Sequence, residues 1–220
     1  EPIFPLGDAS RQTRDFPAVT AVIILANAFV FLLELVGGDD FVLGWAAVPA
    51  DIFQHGRWIT LLTSMFLHGG WAHIIGNMVF LWAFGPEIEE AMGRFRYLVF
   101  YLLGGLVAMA AQIAPDPGST VPNLGASGAI AAVMGAFLVT YPRDRIRTLL
   151  FFGFFARVTF IPAVFLIGFW FLIQLVSFGA VAHVQTGGVA YLAHIGGAIF
   201  GAVFCRLFED RARIARRRDF

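Results

Sequence analysis

Apolar residues in this chain come in long runs broken by short polar or glycine- and proline-rich stretches. Neither the strict alternation of a half-buried strand nor the narrow stripe of a surface helix dominates. Runs near ~20 apolar residues are what a helix needs to cross a bilayer. The pattern predicts spans over 17–36, from the His68 segment to about 84, 97–114, 124–141, 162–178 and 189–208. The fourth is short. Between the first two, 58–67 is apolar but too short to cross, so an interfacial or re-entrant helical piece is expected there. Trp58 and Trp71 would suit the headgroup level. The intervening stretches read as a charged turn at 87–96, a Pro/Gly/Ser/Asn loop at 115–123, a basic turn at 142–147, an apolar stretch containing Arg157 at 148–158, and a small loop at 179–188. The expected class is all-α, a polytopic membrane bundle of six helices. Residues 1–16 form a polar lead, 17–208 the membrane domain and 209–220 a basic tail.

Composition agrees with this picture. Of 220 residues, 59% are hydrophobic and 14% charged, and a mean hydropathy of +0.77 excludes an ordinary soluble domain. Fifteen basic residues, all arginine, balance fifteen acidic ones, which leaves no nucleic-acid footprint. Their placement is more informative than their sum. Arg11 and Arg14, Arg94 and Arg96, Arg143, Arg145 and Arg147, and Arg211, Arg213, Arg216, Arg217 and Arg218 fall on one side of a six-span bundle, whereas the opposite loops hold only Arg57. The positive-inside rule then puts both termini in the cytoplasm. The opening residues do not resemble a cleavable signal, so insertion is left to the spans. The single cysteine, Cys205, is read as a small core hydrophobe.

The candidate chemistry starts at Leu124-Gly125-Ala126-Ser127-Gly128-Ala129. A serine in an apolar run can simply bond a backbone carbonyl or let two helices approach. His194 changes that reading, because an ionisable group inside a span is costly and usually functional. Serine with histidine is a nucleophile with its base. His194 is expected roughly 10 Å below the outer boundary, and Ser127 reaches the same depth if its short helix stops below the surface. Gly197 and Gly201 project from the His194 side of one helix while Gly125, Ala126, Gly128 and Ala129 leave the facing helix bare, so the backbones can approach closely. His73 and Asn77, spaced i, i+4, share a face of the second span. With the Ser127 N–H they could stabilise an oxyanion; the alternative is an interhelical hydrogen-bond pair that only holds spans together. No Asp or Glu lies in the outer halves of spans two, four, five or six, so a Ser127–His194 dyad is expected, slower than a full triad. The site should line a cavity open to water. Glu34 is read as interfacial.

Together these residues resemble the rhomboid family of intramembrane serine proteases. Gly125-Ala126-Ser127-Gly128 matches its GxSG motif, His73 to Asn77 its HxxxN motif, and Ala193-His194 with Gly197 and Gly201 its catalytic-histidine helix. Residues 58–70 and the Glu87 to Arg94 stretch also look like family sequence, and the likeness runs from about Pro17 to Phe208. The resemblance implies a six-helix rhomboid fold of the basic bacterial type, without a seventh span or an appended soluble domain. It also implies cleavage of transmembrane protein substrates in or next to their spans through an acyl-enzyme on Ser127. His194 would act as base and then acid, with His73, Asn77 and the Ser127 amide at the oxyanion and substrate admitted near spans two and five. No cofactor and no metal is implied. The family includes pseudoproteases lacking the serine or the histidine; here both are present. A bacterial inner membrane is the expected location, with the site opening to the external side.

The remaining polar and aromatic positions have milder readings. His55 and His183 lie in loops, and His68 is expected to pack or hydrogen-bond rather than catalyse. Phe169, Trp170 and Phe171 read as lipid-facing or core aromatics, with a gate as the alternative. A metal site lacks familiar zinc spacing and a nearby carboxylate. A transporter would show inverted repeats, which are not found. A non-catalytic binder of membrane helices keeps the same fold and is separable from an enzyme by the effect of Ser127→Ala.

Overall fold

The computed structural model describes residues 3–10, 13–152, 155–181 and 190–218. It is mainly helical, with α1 (Ala18–Trp45), α4 (Trp71–Met92), α5 (Arg94–Ile113), α6 (Ser127–Thr140), α7 (Ala163–Val181) and α8 (Tyr191–Phe208) at the predicted spans. By length and composition α1, α5 and α8 are able to cross a membrane, while α6 and residues 163–176 of α7 are shorter apolar helices. The 28-residue α1 outruns its predicted end because Gly38, at φ 62°, bends the chain and lets a second helical piece follow.

The expected charged turn at 87–96 is helical as far as Met92, and the chain turns at Gly93, φ 80°. Its carboxylates face the protein rather than water. Glu89 is buried and accepts the N–H groups of Val19 at 2.9 Å and Thr20 at 2.8 Å, with the Thr20 hydroxyl also at 2.8 Å. Pro17, at the N-cap of α1, has no side-chain acceptor, so α4 supplies a negatively charged cap to the first orphan donors of α1. The expected interfacial piece at 58–67 is resolved into the short α3 (Thr60–Thr63) and a 3₁₀ turn, Ser64–Phe66, preceded by α2 (Pro49–His55). The Arg57 guanidinium bonds the Gly44 carbonyl and lies 3.8 Å from Asp51.

A three-stranded antiparallel sheet departs from the all-α expectation. Its order is β1 (Ile3–Asp8), β2 (Arg145–Phe152), β3 (Phe155–Pro162), with Arg145 opposite Pro162 and Thr148 opposite Thr159. The lead therefore contains a strand. Arg145-Ile146-Arg147-Thr148 has the period of two, with the arginines exposed and Ile146 and Thr148 buried. The basic tail is also ordered locally, as α9 (Arg211–Arg218), after Asp210 donates its N–H to the Ala91 carbonyl at 2.8 Å.

At the centre stands α6, buried along most of its length and packed most extensively on α8. Small residues make that contact possible. A methyl added at Gly197 would land on the Gly128 carbonyl, one at Gly201 on the Ala132 carbonyl, and one at Gly135 on the Ala198 carbonyl. Gly197 and Gly201 were legible as a packing face; Gly135, on the facing helix, was not.

Gly201→Ala should therefore lower the unfolding midpoint in detergent, by the overpacking cost of about 1–3 kcal/mol. Gly168→Ala, where an added methyl has nothing within 4 Å, should leave the midpoint level or raise it slightly. Equal midpoints for the two variants would contradict the close α6–α8 approach.

Candidate active site

The 14 residues of α6 span about 21 Å, short of the ~30 Å hydrocarbon core, so its first residue, Ser127, can lie below the outer boundary. The turn before it depends on glycine. Gly125 sits at φ +126°, and its N–H donates to the Ser64 carbonyl at 2.8 Å. The N–H of Ser127 belongs to the first turn of α6, whose donors have no intrahelical acceptor.

Ser127 Oγ lies 2.8 Å from His194 Nε2. His194 is in the first turn of α8, 9% exposed, and its Nδ1 lies 2.7 Å from Gln174 Oε1 of α7. The Trp170 ring, one turn before Gln174, lies over the imidazole with centroids 5.5 Å apart and planes 40° apart. The N–H of Ala193 donates to Gln112 Oε1 of α5 at 3.2 Å. Helices α5, α6 and α7 thus all help to place the first turn of α8.

His73 approaches from α4. Its Nδ1 accepts the Gly69 N–H at 3.1 Å, which leaves its proton on Nε2. A methyl built on Gly125 would sit 3.0 Å from His73 Nε2 and 3.7 Å from Ser127 Oγ. The volume that this glycine leaves open is therefore bordered by a proton donor and a hydroxyl. Asn77 follows on the same face, and its buried Nδ2 has no hydrogen-bond partner among the described residues. Beside Ser127, a narrow crevice of about 10 Å³ is lined by Met65, Gly105, Ala108, Gly128 and Ala193, among others.

The structure thus brings together Ser127, His194, His73, Gly125, Gly128 and Gly197, with Asn77 one turn along from His73. Gly201 packs deeper on the same α8 face. Gln174 is not legible as a third group from charge, because an amide carries none. The available signal was a lone amide in an otherwise apolar stretch, 163–176, four residues after a tryptophan. Glu34, read as interfacial, faces the protein: it is 5% exposed and accepts the His68 N–H at 3.0 and 3.2 Å. His68, in the loop before α4 and 2% exposed, sets its ring edge-on to His73 at 5.1 Å. Burial, with the neighbouring His73 charge, pushes its imidazole down to about 4, so at neutral pH it adds no charge beside His73. His55 pairs with Asp51 at the surface, at 3.5 Å; His183 lies outside the described residues. Phe169 is exposed and Trp170 is not simply lipid-facing. Among the described residues no group of three or more His, Cys, Asp or Glu could hold a metal ion.

Comparison with known proteins points one way. The family described as Rhomboid domain matches residues 55–210. The chain is 33% identical over 212 residues to the mitochondrial RHOMBOID-like protein 12 of Arabidopsis thaliana, covering 87% of this chain and 59% of that protein. It is 31% identical over 184 residues to the rhomboid protease GluP of Bacillus subtilis, covering 81% and 32%. It is 29% identical over 192 residues to the mitochondrial presenilin-associated rhomboid-like protein of Bos taurus, covering 81% and 45%. The chain therefore spans less than two thirds of the length of each of these relatives.

Glu34→Ala should destabilise the protein by about 1–3 kcal/mol, because the buried His68 N–H loses its acceptor. Glu34→Gln, which retains a carbonyl oxygen, should recover most of the loss. Unfolding in detergent measures both, and an alanine variant as stable as the parent would show that the bond is not needed.

Proposed function

Since the chain belongs to the rhomboid family, we propose that it is an intramembrane serine endopeptidase that hydrolyses peptide bonds in or next to the transmembrane segments of membrane-anchored substrates. The observation that carries this reading is the 2.8 Å separation of Ser127 Oγ and His194 Nε2, at the start of a helix shorter than the hydrocarbon core. In that geometry the hydroxyl can pass its proton to the imidazole as Oγ attacks the scissile carbonyl.

The chemistry then runs in two halves. The tetrahedral oxyanion occupies the space left open by Gly125, where His73 Nε2–H, Asn77 Nδ2 and the Ser127 N–H act as donors. The imidazolium of His194 returns its proton to the leaving amine as the C–N bond breaks. A water, deprotonated by the same nitrogen, attacks the Ser127 ester; as the intermediate collapses the imidazolium returns that proton to Ser127 Oγ and the acid is released. Donors fixed in a water-poor site need no reorganisation as charge develops, which is how such a site stabilises the transition state.

The surrounding architecture supports the rest of the reading. Residues 17–208 form the catalytic domain, crossing six times, with 1–16 and 209–220 flanking it in the cytoplasm and the site opening to the external side of a bacterial inner membrane. The arginine distribution supports that orientation. The Gly- and Ala-lined crevice beside Ser127 favours substrates with a small residue on the acyl side of the cleaved bond.

The test is labelling with a fluorophosphonate in mild detergent, with the adduct located by mass spectrometry, beside cleavage of a fluorogenic single-span peptide with a Gly/Ala-rich outer boundary. The adduct should lie on Ser127, and Ser127→Ala should lower cleavage by about 10³-fold or more while leaving the fold intact. Cleavage should also decline as pH falls and His194 takes up a proton, because the imidazolium cannot accept one from the serine. A folded protein that binds the peptide without cleaving it or labelling would instead be a binder of membrane helices.

A further inference from the structure

His194 uses both of its ring nitrogens, and the second bond defines the state of the first. Gln174 is buried in the face of α7 turned toward α8, and its amide is oriented from both ends. Its Nε2 faces the Trp170 carbonyl at 3.4 Å. A carbonyl accepts only, so the NH₂ end belongs there and the C=O end points at His194. With Oε1 2.7 Å from Nδ1, that nitrogen must be the donor. The proton of the neutral ring is then on Nδ1, and Nε2 presents a lone pair 2.8 Å from Ser127 Oγ.

We propose that Gln174 is a positioning residue for hydrolysis. Its side-chain carbonyl holds His194 in the Nδ1–H tautomer and aims Nε2 at Ser127, while the Trp170 ring fixes the plane of the imidazole. This rests on the protease reading of the same site and adds a third member to the expected dyad. The member comes from a different helix than the nucleophile or the base. Unlike a carboxylate, an amide orients the ring without a full counter-charge for the imidazolium. Since Trp170 and Gln174 are both on α7, an outward displacement of that helix would remove the orienting bond and the tilted ring contact together.

Among the described residues, the groups facing His194 are few. Ser127 comes from α6, His73 across the cleft from α4 is its ionisable neighbour, Gln174 and Trp170 come from α7, and α5 offers Gln112, which bonds the Ala193 N–H. No Asp or Glu among the described residues is hydrogen-bonded to the ring. A carboxylate introduced at position 174 would therefore be the only acidic group bonded to it.

The experiment compares Gln174→Leu and Gln174→Glu with the parent protein in detergent. It measures peptide cleavage as kcat and KM across pH, and reads the His194 tautomer by ¹⁵N NMR. Gln174→Leu should lower kcat at least tenfold with KM within about twofold, and the Nδ1–H tautomer should lose its dominance. Gln174→Glu keeps the acceptor, so it should retain activity within a few-fold while the acid limb of its pH profile moves up by about one unit, as the carboxylate favours imidazolium. Parent-like kcat and tautomer in Gln174→Leu would overturn the proposal. Should that variant fail to fold, an unmoved acid limb in Gln174→Glu would overturn it. The tautomer separates the two readings: a parent protein that binds the peptide without cleaving it, yet loses Nδ1–H in Gln174→Leu, contradicts the protease reading and keeps the orienting bond.

Discussion

The whole site depends on two helix backbones coming closer than ordinary side chains allow. A serine side chain is short, so its hydroxyl meets an imidazole on another helix only if the helices nearly touch. Gly128 against Gly197, Ala132 against Gly201, and Gly135 against Ala198 provide that approach along the whole α6–α8 contact. Within a bilayer, helix association gains little from the hydrophobic effect, and close packing of small residues is one of the main forces available. The same feature that associates the helices therefore sets the distance between Ser127 and His194. On the other side of α6, Gly104 and Gly105 of α5 give way to Ala132, Ala129 and Met65. Helix α6 is enclosed by its neighbours, and most of its length lies deep within the bundle.

A second constraint follows from that depth. Polar groups withdrawn from water need partners, and here the partners come from distant parts of the chain. Glu34 on α1 receives the His68 N–H, Glu89 on α4 caps α1, Gln112 on α5 receives the Ala193 N–H, and Gln174 on α7 receives His194. Each bond satisfies a group and also fixes an angle between two elements. Some buried polar atoms lack a partner among the described residues, Asn77 Nδ2 and both His68 ring nitrogens among them; for Asn77, beside the site, this suits the proposed role of a donor whose acceptor arrives with the substrate.

What was legible in the sequence was local or periodic. Ser127 among glycines, His73 and Asn77 one turn apart, and the Gly197 and Gly201 face can be read from spacing alone, because helix geometry converts spacing into direction. Partnerships across the fold could not be read in this way. Glu34 and Glu89 look like charges at span ends until the facing N–H groups are placed, and Gln174 looks like an incidental amide in an aromatic helix. The sheet was hidden for a different reason: the alternation of 145–148 is followed by Leu149, Leu150, Phe151 and Phe152, where an unbroken apolar run fits strand and helix equally well. The end of α4 is not legible because charge ordinarily marks exposure, whereas Glu87 and Glu89 are buried.

The choice of an amide beside His194 makes physical sense in this setting. An ionised aspartate there would have to be desolvated, at an effective penalty of several kcal/mol in a protein interior, and before the reaction begins it would face a neutral imidazole that offers no opposite charge. Glutamine supplies the acceptor without that penalty. What it gives up is full charge stabilisation of the imidazolium during attack, which leaves more of the catalytic burden on the donors around Gly125. The bond must then be held by helix position rather than by ionic attraction, and α7 packs on α8 less extensively than α6 does. Orientation of His194 is thereby tied to the seating of α7.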